Sequence, residues 1–156
     1  MTGAGVLIIG WGNPLRGDDG LGWHAATRLA EDGRLAGATV LRRHQLTPEL
    51  AQDVAAANRV VLVDAGVERG PPGTVTVTPV EPERAGRAGP PLSHHLDPGA
   101  LAALSQRLYG RVPPMLLVRV AAASFEAGEG LSPALEAALP TVLATVAGLA
   151  AGSARA

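Results

Sequence analysis

The chain has 156 residues, a formal net charge of −1, no cysteine, and thirteen basic residues that are all arginine. This length suits one domain with a hydrophobic core, and the near-neutral charge argues against a nucleic-acid-binding surface. Without cysteine or lysine, the chain has no thiol nucleophile, no disulfide, no sulfur-ligated zinc, no Walker-type phosphate lysine and no Schiff-base lysine.

The first half of the chain alternates apolar runs with helical patterns. An apolar-periodic helix is predicted over 20–32, and Thr47 followed by Pro48 predicts the N-cap and first position of a second helix. Three short apolar runs are predicted as strands: 5–9, 39–41 and 59–63. The last of them is apolar throughout its middle, which is typical of a sheet covered on both faces.

The second half repeats the helix-start pattern. Asp97-Pro98 predicts a helix to about Leu108, Ser132-Pro133 predicts the last helix, and 115–120 is predicted as a strand. Residues 74–78 alternate as a half-exposed strand does. Because only ten residues separate 74–78 from the strand before it, a parallel crossover is too long to fit, and an antiparallel or edge strand is expected.

This element order predicts the α/β class, with a three-layer, twisted, mostly parallel sheet flanked by helices, in one domain over residues 1–156. Residues 79–93 have no pattern and are expected to form a surface loop. The apolar stretch 131–151 contains Glu136 and Pro140, so we expect an amphipathic or buried helix rather than a membrane span. No signal-peptide pattern begins the chain, and a cytoplasmic location without membrane or nucleic-acid partners is expected.

A glycine-rich turn over 10–20 follows the first strand and contains Asp18 and Asp19. A strand feeding such a turn usually presents backbone N–H groups to a phosphate. Two carboxylates repel a phosphate and attract a cation, and the turn also lacks the third glycine of a dinucleotide fingerprint. We therefore predict a metal contact at Asp19, whereas Asp18 is expected to cap the following helix.

Asp64 ends the third predicted strand. In a 2-1-3 strand order the first and third strands are neighbours, so Asp19 and Asp64 would meet at the carboxyl edge of the sheet. The segment 93–95 (Ser-His-His) precedes a helix and would add an imidazole from His94 or His95. Carboxylate and imidazole ligands suit nickel or zinc, and an ion with open positions polarises a carbonyl or binds water.

Other interpretations of these residues stay open. Asp64 is alternatively an acceptor for loop N–H groups, and Asp97 is interpreted as a helix cap. Ser93 beside His94 is a poor nucleophile–base pair, because neighbouring side chains diverge. His24 is expected on the surface or in packing. Three further residues are either surface or packing groups or reach the site, a glutamate then acting as a base: His44, Glu126 and Glu129.

Three motifs in chain order carry a family resemblance. They are Gly10-x-Gly12-Asn13-x-Leu15-x-x-Asp18-Asp19-Gly20-x-Gly22, then Val63-Asp64-Ala65, then Ser93-His94. Together they resemble the maturation endopeptidases of nickel-iron hydrogenases, and segments 44–50 and 128–133 are also similar to members of that family. The resemblance extends from about residue 6 to residue 146.

The resemblance implies a protease that removes the C-terminal peptide of a hydrogenase large-subunit precursor once nickel is installed. It implies a twisted sheet between helix layers, and nickel carried by the precursor rather than a permanent cofactor. It also implies catalytic and metal contacts at Asp19, Asp64 and a histidine. Family members have leucines two, seven and ten residues after that histidine, which selects His94 over the alternate His95 through Leu96, Leu101 and Leu104. Relatives often have glutamate where this chain has Asp19.

Two other classes of function remain open from the sequence. The crevice is alternatively that of a binding module that senses a metal or an anion without turnover. It is also compatible with a small-molecule metallohydrolase, which would retain its own metal tightly through purification.

Overall fold

A computed structural model describes residues 5–35, 37–67, 70–83 and 96–152. Its centre is one sheet of five strands in the spatial order β2-β1-β3-β5-β4. The strands are β1 (Val6–Trp11), β2 (Thr39–Arg43), β3 (Arg59–Gly66), β4 (Val75–Pro79) and β5 (Met115–Ala121). The order confirms the predicted adjacency of the first and third strands.

Helices lie on both sides of this sheet, so the predicted α/β class and three-layer arrangement are confirmed. The helices are α1 (Leu21–Leu29), α2 (Leu50–Ala56), α3 (Pro98–Tyr109) and α4 (Pro133–Ala150). Alternate residues of β1 contact different layers: Ile8 packs in the core formed with α1 and α4, while Ile9 packs in the core formed with α2 and α3. This alternation explains why the central strands are apolar at nearly every position.

The strand over 75–79 lies at the edge of the sheet and runs antiparallel to β5, whereas the other neighbouring pairs are parallel. Both parts of the expectation for 74–78 are therefore confirmed. Its half-exposed pattern and terminal Pro79 suit an edge, where one row of backbone groups has no strand partner.

Two helix boundaries differ from the predictions. Thr47 does not cap α2, because residues 47–49 first form a tight turn in which the Leu50 N–H donates to the Thr47 carbonyl at 3.1 Å. The helix then begins at Leu50. Helix α1 ends at Leu29, three residues before the predicted end at 32, and Ala30 is exposed.

The last helix begins after Ser132, as predicted. By length and composition alone, α4 is long and apolar enough to cross a membrane. In this structure its side chains at 135, 139, 142 and 146 are fully buried against the sheet and α1, as expected for a core helix. Of the predicted surface loop 79–93, Pro79 ends β4 and residues 84–93 lie outside the described residues.

Candidate active site

A cleft of about 430 Å³ opens at the carboxyl edge of the sheet. Its walls are the segments that follow β1 and β2 and the end of β3, which is the position where open α/β sheets bind ligands. Its lining residues are Trp11, Gly12, Asn13, Arg16, Asp19, His44, Gln45, Leu46, Asp64, Ala65, Gly66, Val67, Leu96 and Phe125. The two predicted carboxylates, Asp19 and Asp64, thus share one cleft.

Asp19 lies on a short 3-10 turn, Gly17–Gly20, that leads into α1. Its carboxylate Oδ2 accepts a hydrogen bond from the Asn13 backbone N–H at 2.9 Å. The turn comes so close to β1 that a Cβ on Gly12 would lie 1.8 Å from the Asp19 carbonyl oxygen, and Gly12 has a φ of +148°. The glycine is therefore required for Asp19 to reach the cleft.

Asp64 lies two residues before the end of β3 and pairs in register with Arg119 of β5. The Arg119 Nη2 atom is 3.6 Å from Asp64 Oδ2, and only 15% of the Asp64 side chain is exposed. The pKa of Asp64 is raised to about 7, chiefly by burial; the charge of Asp19 adds to this shift and Arg119 opposes it. The two carboxylates are thus close enough to repel each other, and a cation between them would relieve that repulsion.

Asp18 does not cap the helix as predicted. It is 1% exposed and binds the loop between β5 and α4 instead. Its carboxylate accepts backbone N–H groups of Ala123 at 2.7 Å and Ser124 at 3.2 Å, and both the N–H and the hydroxyl of Ser132, at 2.7 and 2.8 Å. Burial raises the pKa of Asp18, but these hydrogen bonds hold it below its ordinary value. The neighbouring acids therefore have separate roles.

The predicted histidine ligand is not among the described residues. Ser93, His94 and His95 lie outside the described residues, and Leu96, which follows them, lines the cleft. Within the described ranges no group of three His, Cys, Asp or Glu side chains is arranged to hold a metal ion. The carboxylate pair fits part of a cation site, and the third ligand stays a prediction.

The remaining candidates differ in whether they line the cleft. His44 lines the cleft, and it also stacks on Trp23 with ring centroids 4.5 Å apart. Glu126 and Glu129 are exposed and do not line the cleft. Asp97 caps α3 by accepting the Ala100 N–H at 2.8 Å, which confirms its interpretation as a cap.

His24 is half-buried on α1, and no partner for its buried Nε2 atom lies in the described part of the chain.

Arg119 was not among the site residues predicted from the sequence. Its signature was a single charge within an apolar strand, which in a covered sheet requires a buried partner.

The fold and site define an α/β protein with a carboxylate-lined cleft where the strand order reverses. Solved structures share this architecture. The hydrogenase maturating endopeptidase HybD from E. coli superposes with a TM-score of 0.76 at 23% identity, over 96% of this chain and 93% of that one.

The NiFe-hydrogenase maturation protease HycI from Thermococcus kodakarensis KOD1 gives a TM-score of 0.72 at 23% identity, over 93% and 91% of the two chains. The maturation protease HybD from T. kodakarensis gives 0.71 at 24% identity, over 93% and 98%. No family model and no curated protein matches this chain. At these identities the likeness establishes a common fold, which confirms the fold that the resemblance implied.

Proposed function

We propose that this chain is an endopeptidase of hydrogenase maturation, which removes the C-terminal extension of a nickel-iron hydrogenase large-subunit precursor after nickel insertion. The observation that carries the proposal is the meeting of Asp19 and Asp64 in one cleft, from positions 45 residues apart in the sequence. The shared fold with proteins titled hydrogenase maturation proteases supports it.

In this proposal the nickel belongs to the precursor and is part of the substrate. Asp19, Asp64 and His94 bind it, with His95 as the alternate, so that only a nickel-loaded precursor is held productively. Bound nickel supplies Lewis-acid polarisation of the scissile carbonyl. The Asn13 N–H fixes the Asp19 carboxylate, and Arg119 favours the ionised form of Asp64 against the effect of burial. The reaction is proposed to occur in the cytoplasm.

The test is cleavage of purified precursor, prepared with and without nickel, by wild type and by Asp19→Ala, Asp64→Ala and His94→Ala. We expect wild type to shorten only the nickel-loaded precursor and each variant to lose at least about a hundredfold in rate. Asp53→Ala is the matched control, because Asp53 is an exposed carboxylate of α2 outside this cleft.

The same assay separates the other classes of function. A sensing module would shorten neither form of the precursor. A small-molecule metallohydrolase would retain a metal after purification, which elemental analysis detects. Cleavage by all three variants at the wild-type rate would refute the proposed site.

A further inference from the structure

Arg119 is the charged residue of β5, and it lies beside the cleft. In the parallel pairing of β3 with β5 it is directly opposite Asp64, with 3.6 Å between Arg119 Nη2 and Asp64 Oδ2. Its side chain is 31% exposed, so the pair is neither fully solvated nor sealed in the core. A guanidinium in this position places a permanent positive charge next to one of the two cleft carboxylates.

The backbone of β3 leaves room for the Arg119 side chain at Gly66. A Cβ on Gly66 would lie 2.6 Å from Arg119 Cδ and 2.9 Å from Nε, which is closer than real contacts allow. Gly66 also lines the cleft. The absence of a side chain at 66 therefore lets the arginine lie along β3 and reach the acid.

We propose that Arg119 is a resident counter-cation of Asp64, which weakens the binding of uncoordinated divalent cations in the cleft and so favours an ion that arrives with ligands of its own. This inference rests on the proposed function. A cation bound to Asp64 lies within a few ångströms of the guanidinium and is repelled by it. An ion already bound to anionic groups of a precursor carries less net charge, and the repulsion is correspondingly smaller.

Replacing Arg119 by methionine removes this repulsion while retaining much of the side-chain volume. Without the neighbouring guanidinium, Asp64 binds a proton more readily, and this opposes metal binding. A divalent ion carries twice the charge of a proton. Loss of the guanidinium charge therefore favours binding of the metal more than binding of the proton. We therefore expect Arg119→Met to bind Ni²⁺ more tightly, by roughly tenfold.

The experiment is calorimetric titration of nickel chloride into wild type, Arg119→Met and the double variant Asp64→Ala/Arg119→Met. Arg28→Met is the matched control, because Arg28 pairs with Glu136 at 4.0 Å in an exposed ion pair away from the cleft. We expect tighter binding in Arg119→Met, wild-type affinity in the control, and loss of the gain in the double variant. Partial unfolding would weaken binding, so it cannot imitate the gain.

Gly66→Ala tests the geometry without changing charge, since the added methyl group displaces the Arg119 side chain from Asp64. We expect a gain in nickel affinity smaller than that of Arg119→Met. Unchanged or weaker nickel binding in Arg119→Met, or a double variant that binds as tightly as Arg119→Met, would overturn the proposal.

Cleavage of nickel-loaded precursor separates this inference from the proposed function. If Arg119→Met has unchanged nickel affinity while wild type cleaves the precursor, the counter-cation role fails and the peptidase proposal stands. If wild type does not cleave the precursor, the peptidase proposal itself fails.

Discussion

Asp64 is held in a balance between burial, which favours the neutral acid, and Arg119, which favours the carboxylate. The outcome is a pKa of about 7, compared with an ordinary value of 3.8. Between these values the folded protein retains a proton that the unfolded chain has already lost. Its contribution to stability is therefore largest at low pH and is lost as the pH rises from about 4 to 7.

The first prediction follows from this sign. Relative to Asp64→Asn, wild type should lose about 3 kcal/mol of unfolding free energy between pH 4 and pH 7.5, and no more above that range. Urea denaturation at several pH values, in a chelating buffer, measures the difference. Parallel pH profiles for the two proteins would contradict the raised pKa.

Asp18 shows the opposite balance, because its hydrogen bonds to the loop between β5 and α4 outweigh the effect of burial. Its stabilising contribution is present above the ordinary pKa of 3.8 and is lost as the pH falls through the lower folded value. The acid thereby connects the first loop to the segment that carries Phe125 into the cleft.

The second prediction compares the adjacent acids. Asp18→Ala should lower the unfolding free energy by about 3 kcal/mol at pH 7, because the part-buried N–H donors of Ala123 and Ser132 lose a charged acceptor. Asp19→Ala should cost about 1 kcal/mol, since it removes one acceptor at a part-buried position. Urea denaturation measures both, and equal losses would refute the separate roles.

At the scale of elements, the entry of α1 depends on a close approach between helix and sheet. A Cβ on Gly22 would lie 2.3 Å from the Trp11 carbonyl oxygen and 2.4 Å from that of Val63. These atoms belong to β1 and β3, so the contact cannot be relieved by a side-chain rotation. The glycine thus sets how closely the Asp19 turn lies against the two strands of the cleft.

The third prediction concerns this contact. Gly22→Ala should destabilise the protein by about 3 kcal/mol, because the methyl group forces α1 away from the strands. Gly33→Ala is the control: a Cβ there has no atom within 4 Å, and a change within about 0.5 kcal/mol is expected. Thermal unfolding of both variants measures the contrast, and a tolerated Gly22→Ala would show that α1 adjusts.

The start of each helix shows how far sequence patterns reach. Asp97-Pro98 and Ser132-Pro133 correctly predict where α3 and α4 begin, because a capping residue and proline act locally. The Ser132 hydroxyl nevertheless donates to Asp18, 114 residues away, instead of capping its own helix. The similar Thr47-Pro48 pair is followed by a turn, so the local rule places α2 too early.

At the scale of the whole molecule, two hydrophobic cores share one sheet. Val142 lies in the core with α1 and α4, and Val54 lies in the core with α2 and α3. Both are fully buried. The strands contribute alternate residues to each side. Loss of either core would therefore expose one face of the same sheet.

The fourth prediction tests the proposal of a single domain. Val142→Ala and Val54→Ala should each cost about 1–3 kcal/mol, and the double variant should cost their sum within about 0.5 kcal/mol, in one cooperative transition. Calorimetry measures the transition. Two separate transitions in either single variant would show that the halves unfold independently.

The sequence by itself determined the α/β class, the neighbouring first and third strands, the edge strand and the carboxylate positions 19 and 64. These depend on hydrophobic period, short connections and the rule that ligands bind at the carboxyl edge of such sheets. Each of these features is specified by residues that are close together in the chain, or by a general rule of sheet topology.

Only the tertiary structure decided what each acid contacts. Asp18 and Asp19 are adjacent and chemically alike, yet one binds a distant loop and the other lines the cleft. The pairing of Asp64 with Arg119, 55 positions later, likewise depends on strand register. Side-chain partners over such separations are set by packing and burial in three dimensions, which no local pattern encodes.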